Sequence, residues 1–84
     1  MKKMWLLIEY SESLKITEFN FENDLINYFN INIQQCDDYT DAMTFNDLIM
    51  NCKYYEIEIV EIKIDDNLNK SNVEIKTSKQ LINK

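Results

Sequence analysis

Asp37, Asp38 and Asp41 make the densest carboxylate group in the chain, and hard cations such as Ca²⁺ and Mg²⁺ favour such oxygens. A calcium loop also wants a glycine turn and a bidentate glutamate at a fixed offset. Neither is present, so the group reads as an acidic loop leading into a helix. Cys36 and Cys52 stand sixteen residues apart with no other soft ligand, which leaves a zinc site short of half its donors. Cys52 falls on an apolar helix stripe, where cysteine serves as a small core residue. Paired carboxylates of the glycosidase kind need a deep cleft and groups that hold the substrate. A chain of 84 residues without Arg, His or Gly has little with which to build one.

The zeros in the composition exclude more chemistry than the clusters suggest. All nine cations are lysine, and glycine, proline, histidine and arginine are absent. Without glycine there is no P-loop, dinucleotide fingerprint or nucleophile elbow, each of which needs a backbone position free of Cβ. Without histidine there is no imidazole base and no Ser-His or Cys-His pair. The reading is a protein with no enzymatic activity, no cofactor and no metal. Trp5, Tyr28, Tyr54 and Tyr55 are the residue types on which single-stranded nucleic acids stack, but such binders surround their aromatics with positive charge. Here the surroundings are acidic. Direct nucleic-acid binding is not expected, and packing in the core or in an interface is.

Elements follow from the spacing of apolar residues. Met4 to Tyr10 is an apolar run of strand formers, Ser11 to Ser13 a turn, and Leu14 to Phe19 an alternating strand that suits antiparallel pairing. From Phe21 the period becomes helical, with Phe21, Leu25 and Phe29 on one stripe, Ile26 beside them and Asn20 as the cap. Ile31 and Ile33 suggest a short strand. Ala42, Phe45, Leu48, Ile49 and Cys52 predict a second helix capped by Thr40 or Thr44, with Asp47 three residues after Thr44. Tyr54 to Ile64 is the plainest strand. Its apolar phase shifts between Ile59 and Val60, and a β-bulge there would return Ile57, Ile59, Ile62 and Ile64 to one face. Asp65 to Ser71 reads as a turn with positive φ at Asn67 or Asn69. Asn72 to Lys76 returns as a strand, and Thr77 to Lys84 is a polar tail in which Leu81 and Ile82 can dock.

These elements predict one α+β domain over residues 1–84: a small antiparallel sheet of three to five strands with two short helices on one face. At this length a domain buries roughly 60–65% of its unfolded surface, so the core is small. An apolar content of 45% with four Phe, five Tyr and one Trp still suffices for a globular fold. The start resembles a secretion signal, but Glu9 ends the apolar run after Met4 to Ile8, short of the ~7–15 residues of a signal core and the ~20 of a span. No membrane association is expected, and both thiols are expected free in a cytoplasmic setting.

Charge is the remaining lead. The chain carries fifteen acids against nine lysines, for a net charge of −6. Residues 4–62 hold twelve of the acids and two of the lysines, and residues 16–52 hold seven acids and no cation. If Glu56, Glu58 and Glu61 share a strand face, they recur every ~7 Å. Such a row imitates a phosphate backbone and suits a cationic groove, with long-range steering of the encounter. The candidate partner-binding residues are Glu22, Asp24, Asp37, Asp38, Asp41, Asp47, Glu56, Glu58 and Glu61. Scarce Gly, Pro and Ala beside twelve Ile, eleven Asn and nine Lys indicate AT-rich coding, as in low-GC bacteria, their phages and mobile elements.

In size, acidity, coding bias and lack of catalytic residues the chain resembles the small acidic inhibitors that phages encode, such as anti-CRISPR proteins and anti-restriction DNA mimics. The resemblance implies a non-catalytic inhibitor that occupies the basic groove of a nucleic-acid-handling enzyme, a CRISPR effector or other nuclease, in the bacterial host cell. Those inhibitors share no common fold, so no residue roles carry over. Two other readings fit the same residues: an immunity protein or antitoxin that neutralises a basic toxin, and a structural or homodimeric module that completes its sheet through an edge strand.

Overall fold

A computed structural model describes residues 2–34, 44–67 and 70–82. Asp37, Asp38, Asp41, Cys36, the Thr40 cap candidate, Ala42 of the second helical stripe and the turn residue Asn69 lie outside the described residues. The chain runs β1 (Lys2–Glu9), β2 (Lys15–Phe19), α1 (Glu22–Tyr28), a π-helical turn (Phe29–Ile33), α2 (Phe45–Asn51), a 3₁₀ turn (Cys52–Tyr54), β3 (Ile57–Asn67), β4 (Lys70–Thr77) and α3 (Ser78–Ile82). The four strands form one antiparallel sheet in the order β2-β1-β3-β4. The expected α+β class therefore holds, with a third short helix where a tail was expected. Leu81 docks that helix on the core at 7% exposure.

Side chains alternate across a strand, so one side of the sheet carries Trp5, Leu7, Ile57 and Ile59. All four are buried, and they pack with Leu25, Ile26, Phe29, Leu48, Ile49, Cys52 and Leu81 from the helical layer. Burying an aliphatic side chain stabilises by about 1.5–3 kcal/mol, and this single layer is where the chain gains most of that. Aromatic pairs lock it. Trp5 and Phe45 have ring centroids 6.1 Å apart, and Phe29 meets Tyr55 edge-on at 5.3 Å.

Helix ends differ in how they are closed. Thr44 caps α2 as its sequence predicts: the Asp47 backbone N–H donates to Thr44 Oγ1, and the Thr44 N–H donates to Asp47 Oδ2, each at 3.1 Å. Such a box satisfies two of the donors a helix start leaves open. Asn20 does not cap α1. Phe21 holds the N-cap position in extended conformation with no side-chain bond, and at 68% exposure it stands off the stripe of Leu25 and Phe29. Ile31 and Ile33 are not a strand either. The helix widens there to a π turn, in which the Gln34 N–H donates to the Phe29 carbonyl at 2.9 Å. Widening shifts the register of the stripe by one residue, which keeps Phe29 and Gln34 buried.

β3 contains no bulge. Its pairing with β1 runs unbroken from Glu9↔Ile57 through Leu7↔Ile59 and Leu6↔Val60 to Lys2↔Ile64. The phase shift at Ile59 and Val60 is therefore a real change of face: Ile57 and Ile59 point to the helices, while Val60, Ile62 and Ile64 point away. The expected turn from Asp65 is also later. β3 continues to Asn67 and β4 begins at Lys70, with Asn67↔Lys70 the last pair. Positive φ falls on Glu56 (52°) and not on Asn67, because the chain must reverse tightly out of the 3₁₀ turn to enter β3.

Candidate functional site

The side of the sheet away from the helices is an apolar surface that no described element covers. It is built in rows across the strands. Met4, Ile62 and Ile75 form one row, and Leu6, Val60 and Thr77 the next. Lys2, Ile64 and Val73 close the grid at one end. Ile8, Glu58 and the β2 residue Ile16 close it at the other. The outer columns are open: Ile16 is 55% exposed, Val73 57% and Ile75 58%. Met4, Leu6, Ile8, Val60, Ile62 and Ile64 are half-buried, shielded by one another's flanks. None of these residues belongs to the core cluster.

Local sequence explains why this side is apolar. β1 is apolar at every position from Met4 to Ile8, so it presents apolar side chains on both sides whatever its phase. β3 is apolar inward at Ile57 and Ile59 and outward from Val60 onward, and Val73 and Ile75 on β4 align with the outward set. Glu61 and Lys63 of β3 consequently fall on the helical side. Glu61 is 5% exposed there, opposite Trp5, with the Lys3 and Lys63 ammonium groups each 3.8 Å from its Oε1.

Among the described residues, the candidate acids do not all assemble into one surface. Glu56 is in the turn before β3, its carbonyl accepting the Tyr10 N–H at 3.2 Å. Glu58 lies near the start of β3, where its carboxylate accepts the Ser78 hydroxyl at 3.2 Å and acts on the nearby Cys52 thiol. Glu61 is enclosed on the helical side, so these three form no row. Glu22 and Asp24 are exposed in the first turn of α1, and Asp47 is exposed but engaged in the α2 cap. Glu22 and Glu61 do meet, as walls of a hollow of about 220 Å³ shared with Lys3, Lys63 and Phe45. A second hollow of about 230 Å³ touches Cys52, Glu58 and Ser78. Both are below the ~300 Å³ at which small-molecule sites begin.

Chemical reactivity on the helical side is low. Burial, aided by the nearby Glu58 carboxylate, pushes the Cys52 thiol up to about 12, and its Sγ–H donates to the Leu48 carbonyl at 3.4 Å. It is a free thiol but a poor nucleophile at neutral pH. No group of three His, Cys, Asp or Glu side chains gathers among the described residues. The aromatics divide between roles. Trp5 is in the core, Tyr28 donates its hydroxyl to Glu9 at 2.8 Å, and Tyr54 stays 69% exposed under the Lys53 ammonium.

Sequence reasoning missed Met4, Leu6, Ile62, Ile64, Val73 and Ile75 as a surface. The signal was there in β1, which is apolar on both phases, and in the phase change of β3. Two strands apolar on both sides need two covering layers, and the helical stripes supply one. Among the described residues no helix is long and apolar enough to cross a membrane. Comparison of the chain with protein-family models, curated proteins and solved structures gives no match.

Proposed function

We infer that this protein is a non-catalytic interaction module that works by docking its uncovered sheet face on protein. The observation that carries the reading is the contiguous grid of aliphatic side chains around Leu6, Val60, Met4, Ile62 and Ile75, which no described element covers. Contiguous apolar surface of this kind marks protein contact sites in soluble proteins. The absence of glycine and histidine from the sequence and the inert thiol of Cys52 support a binding role over a catalytic one.

A second reading is favoured by the helical layer. Glu22 and Asp24 lead α1 with no basic residue in its last turn, and Asp47 leads α2. That layer suits a basic partner surface, as in the acidic inhibitors of nucleases and the antitoxins of basic toxins. One experiment separates the two. The wild type, Ile75→Lys and the double reversal Glu22→Lys/Asp24→Lys are used as baits in host lysate, and captured proteins are identified by mass spectrometry. Loss of the captured protein with Ile75→Lys alone supports docking through the sheet. Loss with the double reversal alone, together with release by salt, supports the acidic inhibitor. Capture that ignores both variants would defeat both readings.

A further inference from the structure

We propose that the uncovered sheet face binds a second copy of this chain, the two sheets stacking face to face about a two-fold axis that crosses the strands. The proposal rests on the sheet-docking reading and names the occupant.

Three observations select a second copy. The first is chemical character. The centre of the face is aliphatic, from Met4, Leu6, Val60, Ile62 and Ile75, with the polar groups of Thr77 and Glu18 only on the outer strands. Interfaces this apolar belong to homodimers, whereas non-obligate partners meet through surfaces about as polar as the rest of the protein. A flat aliphatic grid is also complementary to itself, as an isologous two-fold contact requires.

The second is area. Strands β1 to β4 span 8, 5, 11 and 8 residues. At ~3.3 Å per residue and ~4.8 Å between strands, one sheet face has a flat footprint of roughly 500 Å², and more as accessible surface. Two copies overlapping over most of that face therefore approach the ~1,000 Å² that a specific interface needs.

The third is the state of the edges. A two-fold axis across the strands, passing between the Met4–Ile62 and Leu6–Val60 rows, lays these two rows on one another's copies. The alternative of sheet extension at an edge is disfavoured. β2 carries Lys15 and Glu18 along its five residues, and β4 carries the Glu74–Lys76 ion pair at 3.1 Å. Charged side chains on edge strands act against edge pairing.

The test is the mass of the full chain in solution from about 1 to 100 µM, by size exclusion with light scattering. The expected mass is twice 10.1 kDa, with Ile62→Lys and Ile75→Lys returning folded monomers and weakening association at least tenfold. Should Ile62→Lys fail to fold, an NMR sample mixing differently labelled wild-type copies serves instead. It should show inter-copy contacts between the Met4 and Ile62 methyls and those of Leu6 and Val60. A dimer indifferent to these substitutions, or lacking those contacts, overturns the proposal. So does a chain that stays monomeric at 100 µM. If that monomer still loses its captured protein on Ile75→Lys, the docking reading stands with another partner, and if it does not, both fall.

Discussion

Glu61 sits in β3 between Val60 and Ile62 and faces the helices, a location that costs free energy unless its charge is matched. Lys3 and Lys63, paired with each other across β1 and β3, both reach its Oε1 from the neighbouring row. Replacing both lysines with Met should destabilise the protein by about 1–3 kcal/mol in urea unfolding, because it strands the carboxylate. Glu61→Met should cost far less, since an apolar residue of similar volume removes the charge together with its need for partners. Equal costs would mean that the lysines do not matter to Glu61. Glu56 offers a gain. At φ 52° a residue with a Cβ is held in a conformation costing about 1–2 kcal/mol, and glycine carries no such penalty. Glu56→Gly should raise the melting temperature by a few degrees, and a lowered one would show that the turn depends on the glutamate side chain. Cys52 supplies a pH test. Its folded thiol sits near 12 against about 8.5 in an unfolded chain. The neutral form is thus favoured by folding, and its contribution is whole below pH ~8.5. It declines by about 1.4 kcal/mol per pH unit as the pH rises toward 12. The stability difference between wild type and Cys52→Ala should shrink by that slope above pH 9, and a pH-independent difference would deny the thiol this burial.

At the scale of elements, the informative strand is β3. Ile57 is 4% exposed against the helical layer while Ile62 points to the uncovered side. Ile57→Asp should abolish folding by placing an unpaired charge in the core, whereas Ile62→Asp should keep the far-UV circular dichroism of the fold. Loss of structure in both would mean that the outward face is buried within the single chain. The alternation of β3 was legible in the sequence, as were β1, β2, β4 and the Thr44 cap of α2. The phase of β3 was not. A bulge and an uninterrupted strand with a change of face obey the same local pattern, and only the pairing with β1 distinguishes them. The acidic row of Glu56, Glu58 and Glu61 depended on that phase and dissolved with it. The π turn after α1 was likewise out of reach, since Ile31 and Ile33 alternate as a strand would.

The whole molecule divides its surfaces by side. Acids such as Glu22, Asp24 and Asp47 stand on the helical layer, and the aliphatic grid stands on the opposite side of the sheet. In a stacked pair the two acidic layers face outward, and each chain contributes a net charge of −6. Salt screens repulsion between the copies and leaves apolar burial intact. Dimer affinity should therefore rise between about 50 and 500 mM NaCl, while docking of the acidic layer on a basic partner should weaken over the same range. Analytical ultracentrifugation across that range reads the sign directly.

Composition by itself determined what chemistry the chain lacks: no glycine turn for phosphates, no imidazole and no arginine. Periodicity by itself determined the α+β class and nearly every element, because strand and helix repeats are local properties of the chain. Tertiary structure alone decided which side of each strand is covered. That choice depends on which face the helical stripes of Leu25, Phe29, Leu48 and Ile49 occupy, and on strands far apart in sequence meeting in register. Once they occupied the side of Trp5, Leu7, Ile57 and Ile59, Glu61 was enclosed between two lysines. Met4, Leu6, Val60, Ile62 and Ile75 were left facing out.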